Sequence, residues 1–386
     1  MRLLFSFVGG NGHFQPLVPI ARAAQAAGHE VAFACGHTML AGVRAAGFTA
    51  FPLGKANPDP PRRVPLQAID IPREEAKVRD KFAGQTARAR IGAMIACCEQ
   101  WQPDALVCDE LDYGAMLAAE TLQLGYASVL VIAEGTFTRA EVVAPALHAV
   151  RAEFNLPPDP ALTMLSRTLV LSPFPPSYRH PSALLPKTAY SIRPQLDDMT
   201  GDGLPFALQP DLPTVYFTLG TVFNTESGDL FAHVLAALHP LPINAVVTTG
   251  AHIDPTEFGQ QPAHVHIVPY IPQAAVLPHC DAVISHGGSG TVIGALGYGL
   301  PQVVIPMGAD QPHNAARCDA LGVGIALDPI DATPAHIRAA VLAVLDEPRY
   351  RAAAGQIRDE INALPDAAQA VRVLEATLRQ RHKPKQ

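Results

Sequence analysis

Between Ala282 and Gln311 the chain gathers the residue types that hold an anion. Ala282–Ser285 is a short apolar run that reads as a buried parallel strand. It passes directly into His286-Gly287-Gly288-Ser289-Gly290-Thr291. Apolar residues then recur at Val292, Ala295 and Leu296 with helical spacing, and Gly299 followed by Pro301 ends that helix. Glycines let a backbone approach a ligand closely, and the N–H groups of a helix start point at it. A second strand, Gln302–Ile305, ends in Gly308-Ala309-Asp310-Gln311. Ligands of open α/β sheets sit beyond the carboxyl ends of strands, so both polar loops are expected to face one crevice. A glycine-rich turn alone can also do no more than pack a helix on a strand.

His13 is the second group able to do chemistry. It follows the apolar run Arg2–Val8 and the turn Gly9-Gly10-Asn11-Gly12. A neutral imidazole can take a proton from an attacking hydroxyl. The bland alternative is a turn histidine that caps the next helix. A carboxylate on the far ring nitrogen would fix the tautomer and stabilise the imidazolium. Asp109, at the end of the apolar run Ala105–Cys108, is favoured on strand position; Asp112, three residues on, remains open. This first turn lacks the dinucleotide fingerprint. Gln15 stands near where a third glycine is needed, and the second strand ends in Cys35 instead of an acid.

These groups need a framework of parallel strands. Arg2–Val8, Val31–Ala34, Phe48–Phe51, Ala105–Cys108 and Ala127–Ile132 read as strands, with helices at Phe14–Ala27, Glu74–Gln100 and after Asp109 through Leu124. The exit Ala133–Phe137 is expected beside His13 and Asp109. Pro52 to Pro72 and Pro157 to Pro186 read as proline-rich loop. A second series starts at Thr214–Leu219, with a helix at Leu230–Leu238 and strands at Ala245–Thr248 and Val265–Val268. From Pro334 the chain is helical to near Gln380, broken at Glu347-Pro348 and Leu364-Pro365. Domains are expected at 1–195 and 213–386, with a linker at 196–212.

Composition narrows the classes. The 386 residues suffice for two domains, and a 48% hydrophobic content fills sizeable cores. A net charge of -7 without a basic run argues against nucleic acid or an acidic membrane as partner. The apolar start MRLLFSFV is short and enters a turn, so it reads as a strand and not a signal peptide. No stretch approaches the ~18 apolar residues of a span, so no stable membrane insertion is expected. The six cysteines lack CxxC spacing and read as reduced, mostly buried thiols of a cytoplasmic protein, with no metal site.

The order and spacing of Tyr270-Ile271-Pro272-Gln273, His286 to Thr291 and Asp310-Gln311 resemble the donor signature of the UDP-glycosyltransferase superfamily. These are nucleotide-sugar-dependent enzymes with the GT-B fold. The resemblance extends weakly over the whole chain and looks closest to the bacterial enzymes that glycosylate natural products. It implies an α/β protein of two facing Rossmann-like domains, the first binding acceptor and the second donor, with a C-terminal helix returning to the first. His13 occupies the position of the family's catalytic histidine and Asp109 that of its partner aspartate. The donor diphosphate would meet Thr221, His286 and the Gly288, Ser289, Gly290 and Thr291 turn. Tyr270, Ile271 and Gln273 would bind the nucleobase, although Tyr270 also suits an ordinary core or rim position. Asp310 and Gln311 would hold the donor sugar; Asp310 could also cap the helix starting near Pro312.

One base with no carboxylate nucleophile implies an inverting single displacement. The sequence contains no Asp-x-Asp, so no metal is expected. No cofactor is expected either; the nucleoside diphosphate sugar is a co-substrate. Many relatives place a ribose-gripping glutamate eight residues after the motif histidine, where this chain has Gly294. That departure favours dTDP over UDP. The expected reaction moves a hexose or deoxyhexose to a hydroxyl of a lipophilic natural product, as in antibiotic biosynthesis. A homodimer is compatible with this reading. The alternatives are a nucleotide-sugar 2-epimerase on the same fold and a catalytically silent helper protein.

Overall fold

The structure, a computed structural model, describes residues 1–54, 63–195, 203–221 and 223–381. It divides into two units. The first comprises Met1–Pro58, Pro72–Pro194 and Leu364–Gln386; the second comprises Asp59–Ile71 and Gln195–Ala363. Each is an α/β unit built on one parallel sheet.

The first sheet contains β1 (Arg2–Ser6), β2 (Glu30–Cys35), β3 (Thr49–Pro52), β4 (Ala105–Asp109), β5 (Gly125–Val129), β6 (Leu169–Ser172) and β7 (Ala189–Ser191). Its order is β3-β2-β1-β4-β5-β6-β7. β4 is buried along its whole length, which explains why it reads as an unbroken apolar run rather than an alternating one. The chain winds outwards from β1 to β3, then crosses back to lay β4 on the other side of β1. The order therefore reverses between β1 and β4, the place where doubly wound sheets open a crevice.

The second sheet repeats the plan with β8 (Thr214–Thr218), β9 (Asn244–Thr248), β10 (Val265–Val268), β11 (Ala282–Ser285), β12 (Gln302–Val304) and β13 (Gly324–Ala326). Its order is β10-β9-β8-β11-β12-β13, reversing between β8 and β11.

Several expectations are corrected. The expected Glu74–Gln100 helix is the end of an α-helix at Ile71–Ala76, a π-helix at Lys77–Thr86 and an α-helix at Ala87–Trp101. The stretch read as proline-rich loop contains β6, which pairs with β5 from Ala127↔Leu169 onward. The structure also contains β7, β13 and the helices Leu40–Ala45 and Ala140–Glu153, none of which the sequence pattern marks. Arg63–Ile71 groups with the second unit, where Val64 N–H donates to the Thr225 carbonyl (2.9 Å) and Arg63 forks onto Glu257 at 2.6 Å. Of the expected linker, 196–202 lies outside the described residues.

The C-terminal helix Ala367–Arg381 belongs to the first unit, packing on the Val18–Ala26 helix, β5 and β6. Its buried Ala370, Val371, Leu374 and Leu378 form one stripe, and Glu375 meets His29 Nε2 at 2.7 Å. All six cysteines are free and buried. No described helix is long and apolar enough to cross a membrane.

Candidate active site

β1 and β4 lie in register from Leu3↔Ala105 to Ser6↔Cys108, so their exits are neighbours. β1 leads to the one-turn helix Asn11–Phe14, which carries His13; β4 ends on Asp109. Gly9 makes the connection at φ +78°, where a Cβ would also stand 2.8 Å from the His13 ring. Only glycine suits both demands.

Asp109 is wholly buried. Its Oδ1 accepts the Leu111 N–H (2.7 Å), and its Oδ2 accepts the Val8 N–H (2.8 Å) and meets His13 Nδ1 at 3.1 Å. Both oxygens therefore act as acceptors, and the shared proton belongs on Nδ1. The basic nitrogen of the neutral ring is then Nε2.

Asp112 has other partners. It caps the Tyr113–Thr121 helix through the Ala115 N–H and receives Arg90 in a bidentate pair. Geometry thus separates the two carboxylates that the sequence left open. Phe82, carried by the π-helix, stacks on His13 with 6.5 Å between centroids and 17° between planes. Glu110 accepts the Val131 and Ile132 N–H groups and the Thr138 hydroxyl, tying the β5 exit to β4. Burial pushes the Glu110 pKa up.

In the second unit β8 and β11 are the adjacent pair, with Thr218 opposite Ser285. Thr221 is exposed at the β8 exit and His286 follows β11. The His286 ring lies between two glycines. A Cβ on Gly220 would come within 2.7 Å of Cε1, and one on Gly288 within 2.6 Å of Nε2. The ring is 8% exposed, and its Nδ1 is buried without a hydrogen-bond partner. Burial pushes its pKa down to about 4, against a smaller opposing effect of the Thr218 main chain. At neutral pH His286 can therefore offer a ligand an N–H dipole, not a positive charge. The Ser289–Gly297 helix starts at Gly288 with no side-chain cap, which leaves its first-turn N–H groups directed out of the helix end.

Asp310 is 9% exposed, and its Oδ2 accepts the Ser289 hydroxyl (2.7 Å) and the Asn314 amide (2.9 Å). Although it occupies the N-cap of the Gln311–Ala320 helix, its side chain makes no capping bond. Gln311 Oε1 accepts the Met307 N–H (2.8 Å) and the Gly308 N–H (3.3 Å), holding the loop closed. Ser289 can thus offer an anion its main chain more readily than its hydroxyl. Gln273 donates to the Thr291 hydroxyl at 3.0 Å. Ile271 is buried, whereas Tyr270 is 65% exposed and so is no core residue.

Residues 232–377 match the family described as erythromycin biosynthesis protein CIII-like, C-terminal domain. Over 97% of its length the chain is 30% identical to 4'-demethylrebeccamycin synthase of Lentzea aerocolonigenes, of which 99% is covered. The chain belongs to the bacterial natural-product glycosyltransferases of the UDP-glycosyltransferase superfamily. This glycosyltransferase is also 28% identical to tylactone mycaminosyltransferase of Streptomyces fradiae, covering 97% of the chain and 92% of the relative. Among solved structures it is similar to spinosyn rhamnosyltransferase SpnG complexed with thymidine diphosphate. There the TM-score is 0.79 at 25% identity, covering 97% of this chain and 100% of that one. The two parallel-sheet units are those of the GT-B fold.

Sequence reasoning passed over three contributors to this glycosyltransferase's site. Asn314 joins Gly287, Ser289 and Asp310, and its i+4 spacing from Asp310 was the available signal. Arg90 sits at helical spacing among buried Ala87, Ile91 and Met94, so its burial was readable, but its partner was not. The placement of Phe82 depends on the π-helix, which leaves no composition signature.

Proposed function

We propose that the enzyme transfers a hexose or deoxyhexose from a nucleoside diphosphate, dTDP ahead of UDP, to a hydroxyl of a lipophilic natural product in the cytoplasm. The reaction is an inverting, metal-independent single displacement. Nε2 of His13 takes the acceptor proton while the hydroxyl oxygen attacks the anomeric carbon. Asp109 holds Nδ1 and stabilises the imidazolium that forms. The bond to the nucleoside diphosphate breaks on the opposite face, and the N–H groups of Gly288–Thr291, with Thr221 and His286, meet the departing charge. Tyr270 stacks on the base, Ile271 and Gln273 lie along its edge, and Asp310 with Gln311 contacts the sugar. The observation that carries this reading is the contact between His13 Nδ1 and the buried Asp109, which leaves Nε2 as the basic nitrogen.

Gly294 supports the dTDP preference, because the position has no carboxylate for a ribose 2′-hydroxyl. A Cβ there would stand 3.1 Å from Gln273 Oε1 and 3.5 Å from Leu277 Cδ1. SpnG, complexed with thymidine diphosphate, agrees with that choice.

The test has three parts. Calorimetric titration should give dTDP an affinity at least equal to that of UDP, with Gly294→Glu moving the balance towards UDP. A tenfold UDP preference in the wild type, about 1.4 kcal/mol, would end the dTDP assignment. NMR of the product should show an inverted anomeric centre, and turnover should continue in EDTA. Retention of configuration, or activity lost to chelation and restored by Mg²⁺, would refute the displacement as written.

A further inference from the structure

Arg90 is 7% exposed, and the proposed reaction gives it no part. Its Nε donates to Asp112 Oδ1 at 3.0 Å and its Nη2 to Asp112 Oδ2 at 2.6 Å. Nη2 also donates to Ser6 Oγ and to the Phe7 carbonyl, both at 3.0 Å. The Ser6 hydroxyl bonds Asp112 Oδ2 in turn. The guanidinium therefore grips the exit of β1, at the Ser6 hydroxyl and the Phe7 carbonyl. One residue on, the Val8 N–H donates to Asp109. The Phe7 carbonyl and the Val8 N–H are the two ends of one peptide group. A cation holds one end, and the anion that orients His13 holds the other.

The close approach is built in. A Cβ on Gly114 would stand 2.7 Å from Arg90 Cβ and 2.8 Å from the Ala87 carbonyl. Only glycine lets the Arg90 helix lie this close to the helix that Asp112 caps.

We propose that Arg90, neutralised by Asp112, is a positioning residue for the base, acting on His13 through the Phe7–Val8 peptide and Asp109. This rests on the reading of His13 as base. A peptide held between opposite charges is polarised, and linked hydrogen bonds strengthen one another. The geometry of the Asp109–His13 contact then depends on a guanidinium that never touches substrate. Arg90 cannot lose its proton in the working range, so the pair supplies a fixed field.

The other ionisable groups coupled to this corner include Asp109, Glu110, Cys35, Cys108 and Tyr113, with Arg44 acting on Cys35 and Arg179 on Glu110. Burial holds both thiols and the phenol protonated, with Cys35 pushed up to about 11. Burial also raises Glu110, which could titrate on the acid side. Every rate–pH profile is therefore repeated in a Glu110→Gln background.

The experiment measures kcat/KM against pH with a turnover-competent pair of dTDP-hexose and lipophilic alcohol, alongside dTDP affinity. Arg90→Met removes a positive charge near the imidazole, so the acidic limb should move to higher pH. Asp112→Asn removes a negative charge, and the limb should move to lower pH. Each shift should be about 0.5 unit or more for charges at an effective dielectric near 20. Arg90→Met/Asp112→Leu restores neutrality with an apolar pair, a replacement that folds usually tolerate. Its limb should return to the wild-type position while kcat falls about 10- to 100-fold through lost alignment. Arg90→Lys, which keeps the charge without the fork, should hold the limb in place, lower kcat and serve if Arg90→Met fails to fold. dTDP affinity should be unchanged throughout. Single variants with unmoved or same-direction limbs, or a double variant at full rate, would overturn the proposal. His13→Ala separates the two readings. If it stays active the base assignment has failed; if it is inactive while the Arg90 and Asp112 limbs stay still, only the Arg90 inference has.

Discussion

Asp109→Asn keeps the shape of the side chain and removes its charge, and the structure says which way the amide will turn. Both carboxylate oxygens accept main-chain N–H groups, Leu111 on Oδ1 and Val8 on Oδ2, and Oδ2 also meets His13. An amide has one accepting end. With its oxygen towards His13, only the Leu111 N–H loses its acceptor. With its oxygen towards Leu111, the Val8 bond is lost and the imidazole must swap tautomer. The first orientation loses less. Stability should fall by about 1–3 kcal/mol, the usual cost of one buried unsatisfied group. In the transition state the imidazolium keeps a hydrogen bond but loses its charge-assisted partner, roughly half of a bond worth about 1.5–3 kcal/mol. A loss of about 0.75–1.5 kcal/mol lowers kcat/KM by about 4- to 13-fold. His13→Ala, which removes the base, should cost about 10²–10⁴-fold. Initial rates of transfer and a thermal melt of the same preparations check both numbers. A fall near 10⁴-fold, the scale of a trapped wrong tautomer, would refute the orientation argument. A fall below twofold would remove Asp109 from the mechanism.

Three more outcomes are expected. His286 has a folded pKa of about 4 against 6.5 for an ordinary histidine, so the unfolded chain takes its proton first as pH falls. Its stabilising contribution is complete above 6.5 and is lost between 6.5 and 4, at about 3 kcal/mol in all. Denaturant curves at pH 7 and 4.5 should therefore converge in His286→Gln relative to wild type; equal losses in both proteins would contradict this. Phe82→Ala removes the ring stacked on His13 and should lower kcat/KM for the acceptor about 2- to 12-fold, the worth of an aromatic contact, with dTDP affinity intact on calorimetry. Asn314→Ala breaks the link between the glycine turn and Asp310; dTDP should bind about tenfold or more weakly, equivalent to at least one buried hydrogen bond, and an unchanged Kd would count against that role.

Local patterns carried much of this architecture. Unbroken apolar runs are what a strand buried on both faces must look like, and β1, β4, β8 and β11 were readable for that reason. The proximity of His13 to Asp109 follows from the reversal in strand order, which no local window contains. Strand position favours Asp109 over Asp112 without deciding between them; the groups that decide, His13 on one carboxylate and Arg90 on the other, come from distant segments of the chain. β13 has three residues and β6 lies among prolines, so neither has the length or flanks that mark a strand. The π-helix was invisible because wide turns depend on packing, not residue type. The resemblance named Asp310 and Gln311 as sugar contacts but gave no hint that Ser289, Asn314 and the Met307–Gly308 main chain also engage them.

The path of the chain bears on how such enzymes can be recombined. The sequence leaves the first unit at Pro194 and re-enters it at Leu364, so the second unit is an insertion rather than a C-terminal half. A chimaera spliced once, after 195, imports a foreign Ala367–Arg381 helix together with the new second unit. That helix must then find the His29–Glu375 contact and fit Leu378 against Gly125, where even a Cβ would stand 2.8 Å away. A graft that respects the architecture needs a second joint at 363–364, so that the native closing helix stays with its own first unit. It has a third seam as well. Arg63 and Val64 are read by Glu257 and Thr225, so the 63–71 strap has to be exchanged with the second unit, although it is encoded inside the first.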